Sequence, residues 1–558
     1  MLPHQNTQEN ARAVVRRRMS PWSITAFVIS ALVFLPILAV IVLALRPDAN
    51  IWPHLISTVL PRYLKNTAIL MAGVAVLSAA MGTGAAWLVT MYRFPGRAVM
   101  RAALLFPLSI PAYIGAYALV DFLDYSGPVQ IALRRVMGWT SARDYWFPEV
   151  HSMGFAILVL SSALYPYVYL MVRNALREQS GGLYEVARAL GSGPWALFWR
   201  VGLPLSRPAL AAGLALALME TVADYGTVQH FGVQTLTTGV FTTWLDGGDV
   251  GGAAQVALVI LLIIFLLLMA ERQGRRNARF FRPPRADRPI EARALTGIQA
   301  LLALALCAVP VILGFVLPVA VMALHALHKP SVWLDPGLAK AFVNTMMVGG
   351  AAAFLTVIAA FFAAHGLRQM RRSVSRVLVP MTMLGYAAPG AVLAVGVLIP
   401  LAAFDHVLAD AILALTGTDP GLVLTGTAFA LVLAFSLRFF GIAQSALDAA
   451  FGRIPPSLPM AARSLGRTEG QVISAIHLPL IKGSVATTLL VVFVECVKEL
   501  PATLLLRPFN FSTLSTRAYE LASLERLGEA APAALVVIAV GLLAVVAYDQ
   551  GVRRRGPQ

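Results

Sequence analysis

The chain has few charged residues for its length. Only 13% of its 558 residues are charged, whereas soluble domains have about 25%, and 58% are hydrophobic. This composition excludes an ordinary soluble domain and predicts an all-α membrane protein that crosses the bilayer many times. Cysteine is scarce as well. Cys307 and Cys496 both lie in apolar segments, which excludes a disulfide framework or a thiolate metal cluster, and we expect both to pack in the core.

A nucleotide-binding signature is also missing. No lysine follows a glycine anywhere in the chain, which excludes the phosphate-binding motif G-x-x-x-x-G-K-[ST]. The chain is therefore not expected to bind a nucleotide through such a loop. Acidic residues number only 27, against 44 Lys and Arg. Because the arginines lie in short clusters between apolar stretches, without interleaved aromatic residues, membrane topology explains them better than nucleic-acid binding.

Twelve apolar stretches are long enough to cross a membrane, which takes roughly 20 residues. The first follows Arg16, Arg17 and Arg18, but it runs on without a small-residue cleavage site, so we interpret it as a retained helix and not as a signal peptide. The predicted spans are 22–45, 67–91, 99–121, 154–173, 207–230, 253–270, 297–325, 342–367, 377–403, 421–445, 483–506 and 531–548.

The distribution of positive charge predicts the orientation. If the N-terminus is inside the cell, 31 of the 44 Lys and Arg residues fall on inward-facing segments and 11 on outward-facing ones. Lys and Arg accumulate on the cytoplasmic side of membrane proteins. We therefore expect both termini to be cytoplasmic.

The second half of the chain repeats the first. Asn66 recurs as Asn344 at an offset of 278 residues, and Pro204 recurs as Pro479 at 275, as expected for an internal duplication. Each half has six predicted spans, so the repeats are parallel; parallel repeats also occur in ion-coupled secondary transporters. The predicted division is an N-terminal tail at 1–21, a first repeat at 22–271, a basic linker at 272–296, a second repeat at 297–549 and a C-terminal tail at 550–558.

One polar, helix-forming segment occurs once in each half. The first copy, YEVARALGSGPWALFWRVGLPL, begins at Tyr184, and the second, PMAARSLGRTEGQVISAIHLPL, begins at Pro459. Both fit the pattern E-A-A-x3-G-x9-I-x-L-P, and on this pattern the chain resembles the inner-membrane permeases of binding-protein-dependent ABC importers. It departs from the pattern at Val186, in place of the first alanine, and at Met460, in place of the glutamate.

The resemblance implies the type I ABC importer fold in the inner membrane of a bacterium, with cytoplasmic coupling loops at 180–206 and 453–482 that dock on two ATPase subunits. Those subunits would bind ATP and Mg²⁺, and no cofactor is expected in this chain. It also implies a soluble binding protein that delivers the substrate from outside. An alternative is that each loop is an amphipathic helix lying on anionic lipid. The coupling residues carried over are Glu185, Ala187, Gly191, Val201, Leu203 and Pro204 in the first loop, and Met460, Ala461, Ala462, Gly466, Ile476, Leu478 and Pro479 in the second.

Local sequence predicts the shape of these loops. Gly191 and Gly466 are placed to end a first helix in the left-handed conformation, and Thr468 with Gln471 has the spacing of a capping box for a second helix. In the first loop Ser192 or Gly193 would cap that helix. We expect Leu-Pro to end each loop just before the next span.

Four carboxylates fall in the spans that follow the loops. Glu220 and Asp224 are four residues apart, hence on one helix face, and Glu495 and Glu499 align with them. Carboxylates inside a membrane are costly and are candidates for the transport path. The structural alternative is that Lys498 neutralises Glu495 or Glu499, or that either pair of carboxylates caps a helix end near the interface.

The substrate is indicated by two tracts and by the fused two-copy chain. KELPATLLLRPF and ETVADYGTVQHFGVQT resemble the ferric-iron branch of the family, and hard oxygen ligands suit ferric iron. The tracts are shared in part with thiamine, polyamine and aminoethylphosphonate permeases. The single histidines His151, His230, His325 and His477 show no ligand spacing, so no metal site and no catalytic group is assigned.

Overall fold

The computed structural model describes residues 20–46, 51–278, 290–370 and 372–555. Eleven of its helices are long and apolar enough to cross a membrane, or twelve if one bent pair counts as a span. The predicted all-α, polytopic fold is therefore confirmed.

The first half holds α1 (Pro21–Leu45), α2 (Trp52–Ser57), α3 (Leu60–Met91), α4 (Arg97–Ala103), α5 (Ala112–Leu123), α6 (Pro128–Met137), α7 (Met153–Arg177), α8 (Gly181–Ala189), α9 (Pro194–Leu197), α10 (Leu203–Ala223), α11 (Gly226–His230), α12 (Leu236–Phe241) and α13 (Val250–Ala278). The second half holds α14 (Gly297–Val311), α15 (Leu317–His328), α16 (Pro336–Gln369), α17 (Arg372–Ala387), α18 (Gly390–Thr416), α19 (Ala428–Phe451), α20 (Ser457–Ser464), α21 (Glu469–Val472), α22 (Leu478–Lys498), α23 (Pro501–Leu506), α24 (Leu514–Ser523) and α25 (Leu527–Arg555). Short 3₁₀ segments span Phe106–Ser109 and Pro330–Leu334, π-helical segments span Phe198–Gly202, Thr242–Asp246, Ile312–Val316 and Ile473–His477, and two short strands, β1 (Tyr92–Arg93) and β2 (Arg293–Ala294), pair in parallel.

The duplication is visible in matching hydrogen bonds. The Asn66 side chain in α3 donates to the Gln234 carbonyl oxygen at 2.8 Å, and the Asn344 side chain in α16 donates to the Ser512 carbonyl oxygen at 3.0 Å. Both residues of the second bond lie 278 positions after those of the first. In each half, an equivalent asparagine side chain thus connects the long helix to the start of the penultimate helix.

A second pair of contacts follows the same rule. The Leu236 backbone N–H donates to the Thr67 hydroxyl at 3.1 Å, and the Leu514 backbone N–H donates to the Thr345 hydroxyl at 2.8 Å. These hydroxyls satisfy backbone groups at helix starts that have no partner within the helix. The repeated polar residues of the sequence are therefore conserved between the halves as structural contacts.

The two halves exchange their first helices. Helix α1 packs on α16, α17 and α18 of the second half as well as on α13 of its own. In return, α14 packs on α3 and α4, the π-helical segment after it on α7, and α15 on α5 as well as on α25 of its own half. Glycines allow the close approach: a Cβ on Gly396 would lie 2.2 Å from the Pro36 carbonyl oxygen, and one on Gly314 would lie 2.3 Å from that of Ser162. Neither half therefore buries its own helices alone.

The predicted third span is not one straight helix. Arg97–Ser109 and Ala112–Met137 form a pair bent by 98°, and the ninth predicted span is broken in the same way between α17 and α18. Pro111 and Pro389 lie at the breaks. Because proline lacks the backbone N–H that a continuing helix needs, it ends the first segment and begins the second.

The fifth and eleventh predicted spans end earlier than expected. Helix α10 ends at Ala223, and Asp224 has extended backbone; α22 ends at Lys498, and Glu499 is extended as well. The prediction that Asp224 shares a helical face with Glu220 is therefore wrong, as it is for the matching pair in the second half. After this break Pro501 is the first residue of α23, a position where its missing N–H costs nothing.

The basic linker differs in part from the prediction. Helix α13 continues through Ala278, so 272–278 is helical, and Arg293 and Ala294 form the short strand β2. At the C-terminus, α25 continues to Arg555, into the predicted tail. Residues 279–289, most of the predicted N-terminal tail and residues 556–558 lie outside the described residues.

Candidate functional site

The two copies of the repeated segment have the same backbone. In each, a short helix ends at a glycine with positive φ, +83° at Gly191 and +81° at Gly466. Nothing lies within 4 Å of the position of a Cβ on either glycine, so the backbone conformation, and not crowding, favours glycine there. The predicted left-handed turn is confirmed in both loops.

The same hydrogen bond closes both turns. The Ser192 N–H donates to the Ala187 carbonyl oxygen at 3.0 Å, and the Arg467 N–H donates to the Ala462 carbonyl oxygen at 3.1 Å. This six-residue closure is the Schellman motif. It holds the second helix of each loop at a defined angle to the first.

The second helices begin as the sequence predicts. The Thr468 N–H donates to the Gln471 side chain at 3.1 Å, and the Gln471 N–H donates to the Thr468 hydroxyl at 3.4 Å, which confirms the capping box. In the first loop Gly193 is the capping residue and Pro194 the first helical residue. A proline costs nothing there, because the first N–H groups of a helix have no internal partner.

The expectation that Leu-Pro ends each loop is wrong. Each second helix runs on through a π-helical segment into the next long helix, and Leu203 and Leu478 donate backbone N–H bonds to the carbonyls of Phe198 and Ile473. These bonds reach back five residues instead of four. The wider turn accommodates the proline that follows each leucine, which cannot donate a hydrogen bond. Each loop is thereby continuous with a membrane helix.

Both loops expose apolar side chains at matching positions. Leu190 is 81% exposed and Leu465, which aligns with it, is 84% exposed. Glu185 is exposed in the first loop, and its counterpart Met460 is 61% exposed. The other coupling residues fall into two groups. The half-buried ones are Ala187, Val201, Leu203, Pro204, Ala462 and Ile476, and the exposed ones are Ala461, Leu478 and Pro479.

The four candidate carboxylates line one cavity. Glu220 and Asp224 from the first half and Glu495 and Glu499 from the second surround a space of about 140 Å³. The structure therefore brings together residues that are 275 positions apart in sequence. Although Asp224 and Glu499 lie beyond their helix ends, they still face this space.

The second-half carboxylates are neutralised. The Lys498 Nζ lies 2.8 Å from Glu495 Oε1, and the Arg438 Nη1 lies 2.6 Å from Glu499 Oε1. A Cβ on Gly390 would lie 2.0 Å from the Arg438 Nη1, so this glycine makes room for the second pair. Lys498 pairs with Glu495, one of the two partners that the sequence left open.

The first-half carboxylates have different partners. The Asp224 carboxylate accepts hydrogen bonds from the backbone N–H groups of Thr227 and Val228, at 2.9 and 3.2 Å, and from the Thr227 hydroxyl at 3.0 Å. It therefore caps α11, as the structural alternative expected. Within the described residues Glu220 forms no ion pair. The cavity holds four carboxylates and two basic groups, Arg438 and Lys498, which leaves a formal excess of two negative charges.

The sequence matches the family described as "Binding-protein-dependent transport system inner membrane component" twice, over residues 78–279 and 356–555. The chain belongs to this family. The permease thus has the two repeats that the sequence predicted, and its apolar helices make it a multi-pass protein of the inner membrane.

Two relatives and one solved structure are similar to this chain. The permease is 26% identical over 481 residues to the "Fe(3+)-transport system permease protein FbpB 2" of Haemophilus influenzae, covering 85% of this chain and 87% of that protein. It is 26% identical to the "Sulfate transport system permease protein CysT" of Escherichia coli, covering 35% and 68%. A solved bacterial alginate ABC transporter, in complex with a periplasmic protein, matches 46% of this chain and 94% of its own, at 17% identity and a TM-score of 0.36.

Sequence reasoning missed the role of Arg438 in the permease. It lies inside a predicted apolar span, and its side chain is only 9% exposed. A basic residue at such a place is expected to face a polar cavity and a partner, and that signal could have pointed to the cavity. The partner, Glu499, lies just beyond the end of a different helix, 61 positions later, which no local pattern reveals.

The remaining histidines and cysteines of the permease have structural contacts. The His325 Nε2 lies 2.9 Å from the Asp121 Oδ2, joining α15 to α5, and the rings of His151 and His230 are 5.5 Å apart. Both cysteines are free and buried, as expected. Within the described part of the chain, no group of three or more His, Cys, Asp or Glu side chains is arranged to hold a metal ion. The cavity can attract a cation without surrounding it with ligands.

Proposed function

We propose that the permease carries ferric iron from an external binding protein into the cytoplasm, driven by ATP hydrolysis on separate subunits. The observation that carries the choice of substrate is the acidic cavity shared by the two halves. Its formal excess of two negative charges favours a cation over an anion.

The negative sign of the cavity's excess charge separates cationic from anionic substrates within the family. At an effective dielectric of about 20, two unit charges about 4 Å apart interact by about 4 kcal/mol, which is attraction for ferric iron and repulsion for sulfate. Carboxylate oxygens are hard ligands, as ferric iron prefers. The same acidity would suit a cationic polyamine or thiamine, so these are the second candidates.

The two loops supply the proposed coupling to ATP hydrolysis. Each is a rigid helical hairpin that continues directly into a membrane helix, and each exposes a leucine, Leu190 or Leu465, at its turn. Exposed apolar groups at matched places fit two copies of one partner surface. We propose that two ATPase subunits dock there, one on each loop, and bind ATP and Mg²⁺ themselves.

The proposed orientation follows from the positive charge. With both loops and both termini in the cytoplasm, the Lys and Arg excess lies on the inner side. The cavity is then reached from outside by way of the binding protein. An ion-coupled secondary transporter remains the alternative of another class, and it would use the same carboxylates as a proton relay.

Uptake of radiolabelled ferric iron tests the substrate and the cavity together. The double variant Glu220→Gln with Asp224→Asn removes both unneutralised charges while keeping the side-chain shapes. We expect normal assembly with the ATPase and loss of uptake. Unimpaired uptake would return these carboxylates to a structural role.

A matched control is Asp144→Asn, the same chemical change on a carboxylate away from the cavity. Backbone hydrogen bonds from Ser141 and Thr140 hold the pKa of Asp144 below its usual value, so this carboxylate also accepts bonds from a turn. The control should transport normally. Vanadate should stop wild-type uptake; inhibition by an uncoupler but not by vanadate would favour the secondary transporter.

A further inference from the structure

The cavity between the halves is built from equivalent positions of the two repeats. Helices α10 and α22 both have 21 residues, and a carboxylate follows each of them. The Thr227 N–H donates to Asp224 at 2.9 Å, and the Ala502 N–H donates to Glu499 at 3.0 Å. Both residues of the second bond lie 275 positions after those of the first. The two halves can therefore be compared residue by residue at this cavity.

The halves differ at the two positions that supply positive charge. Lys498 and Arg438 line the cavity in the second half, and the residues 275 positions earlier are alanines, Ala223 and Ala163, which line the same cavity. Lys498 is the last residue of α22 and Ala223 is the last residue of α10. The second half therefore carries two tethered cations, the side chains of Lys498 and Arg438, that the first half lacks.

Each carboxylate of the second half is paired with one tethered cation. The Lys498 Nζ lies 2.8 Å from Glu495, three residues earlier on the same helix, and the Arg438 Nη1 lies 2.6 Å from Glu499. The lysine ammonium also donates to the Leu108 carbonyl oxygen of the first half at 3.4 Å. The protein thus holds a cation between oxygens of both halves, and this position has a counterpart in the first half.

The first half has a carboxylate but no tethered cation at that counterpart. Glu220, which aligns with Glu495, forms no ion pair within the described residues, and Ala223 supplies no charge beside it. The Tyr167 phenol also lines the cavity and interacts electrostatically with Glu220, whereas the second half has Ile442 at that place. The first half therefore offers oxygen atoms where the second half supplies its own cation.

We propose that the substrate cation binds beside Glu220, at the position equivalent to that of the Lys498 ammonium beside Glu495. Asp224, whose counterpart is paired with an arginine, supplies the second negative charge of this site. Ala223 is then a specificity-determining residue, because its small, uncharged side chain leaves room for a cation from outside. This inference rests on the proposed cationic substrate and names the half of the cavity that binds it.

The charge at this site favours a multivalent cation. The two first-half carboxylates carry the formal excess of two negative charges in the cavity, and a monovalent cation would balance only one of them. Within the described residues no three His, Cys, Asp or Glu side chains are arranged to hold a metal ion, so the cation keeps much of its water shell. Binding of this kind selects by charge and still permits release, which a transport path requires.

The test moves the tethered cation from one half to the other. Ala223→Lys places an ammonium three residues after Glu220, as Lys498 is placed after Glu495. Combining Ala223→Lys with Lys498→Ala should create the equivalent site in the second half. Ala223→Met, of similar length but uncharged, is the matched control. Binding to the complete permease in detergent is titrated with Tb³⁺, a hard trivalent probe whose luminescence is sensitised by nearby tyrosine rings.

Ala223→Lys should weaken Tb³⁺ binding by roughly ten-fold or more, because unit charges this close together interact strongly even near a protein surface. Ala223→Met should weaken it far less. The exchange with Lys498→Ala should restore binding, and adding Glu495→Gln to the exchange should remove it again. Unchanged binding in Ala223→Lys, equal losses with lysine and methionine, or no restoration in the exchange would overturn the proposal.

A second set of variants decides the matter if Ala223→Lys fails to fold. Glu220→Gln alone should lose Tb³⁺ binding, and adding Lys498→Ala should restore it, because Glu495 is then free to take the cation. Failure of this rescue would also overturn the proposal.

The outcomes separate this inference from the proposed function. A wild-type permease that binds no Tb³⁺ would refute the cationic substrate itself, whereas binding that ignores the exchange would refute only the placement of the site. Binding that follows the exchange in a permease that transports no iron would support the site and refute the choice of ferric iron.

Discussion

The buried pair of Arg438 and Glu499 gives the sharpest prediction about stability. Their side chains are 9% and 5% exposed and their charged atoms are 2.6 Å apart, and the Ala502 N–H also donates to the glutamate at 3.0 Å. Removing one member of such a pair leaves an uncompensated buried charge, which costs about 3–5 kcal/mol. This corresponds to a change of roughly 150- to 5,000-fold in the folded-to-unfolded ratio.

The assay is a double-mutant cycle in which the free energy of unfolding of each variant is measured with denaturant in detergent. Arg438→Met and Glu499→Gln should each be strongly destabilising, whereas the double variant should be close to the wild type, because no charge is then left alone. Single variants within about 1 kcal/mol of the wild type, or additive effects in the double variant, would refute the reasoning.

Lys498 provides the contrast for this cycle. The charged atoms of Lys498 and Glu495 are 2.8 Å apart, close to the separation in the first pair, but the two side chains are 17% and 29% exposed. Water and counterions screen such a pair more, so Lys498→Met should cost less than Arg438→Met. Equal costs would show that burial does not control the energy of these pairs.

Three further predictions concern single positions. Gly390→Ala should destabilise the protein by about 1–3 kcal/mol because its Cβ would collide with the Arg438 guanidinium, whereas Gly84→Ala, with nothing within 4 Å, should not; unfolding in detergent measures both. Glu185→Ala should weaken ATPase binding in a pull-down more than Met460→Ala does, since only the glutamate can accept hydrogen bonds from the partner, and equal losses would contradict this. Gly466→Val should cost about 1 kcal/mol or more in the left-handed turn and leave an inserted but uncoupled permease, so normal iron uptake by that variant would count against the turn.

Local features were predictable from the sequence because they depend on nearby residues. The left-handed turn at Gly466 and the capping box of Thr468 and Gln471 require only the residues that form them. The offset between the repeats likewise predicted which residues are equivalent. These features place both loops and identify all four carboxylates that line the cavity.

The exact ends of helices within apolar runs were not predictable in this way. Helix α10 was expected to run past Asp224, but the carboxylate instead caps the next short helix. The composition of that stretch is compatible with either outcome, so the end of an apolar run does not mark the end of the helix. The Leu-Pro steps were misjudged for a similar reason, because a π-helical segment absorbs the missing hydrogen bond of Pro204 and Pro479.

The packing of α1 on the second half has a consequence for the time between synthesis and folding. Helix α1 is synthesised well before one of its partners, because the backbone of Pro36 packs on Gly396, about 360 residues later in the chain. At about 5–20 residues per second, translation takes roughly 20–70 s to supply that partner. During this interval the part of α1 that packs on the second half has no protein partner there. Its mean hydropathy, the highest among the candidate spans at 3.1, suits a helix that must remain inserted before its partners exist.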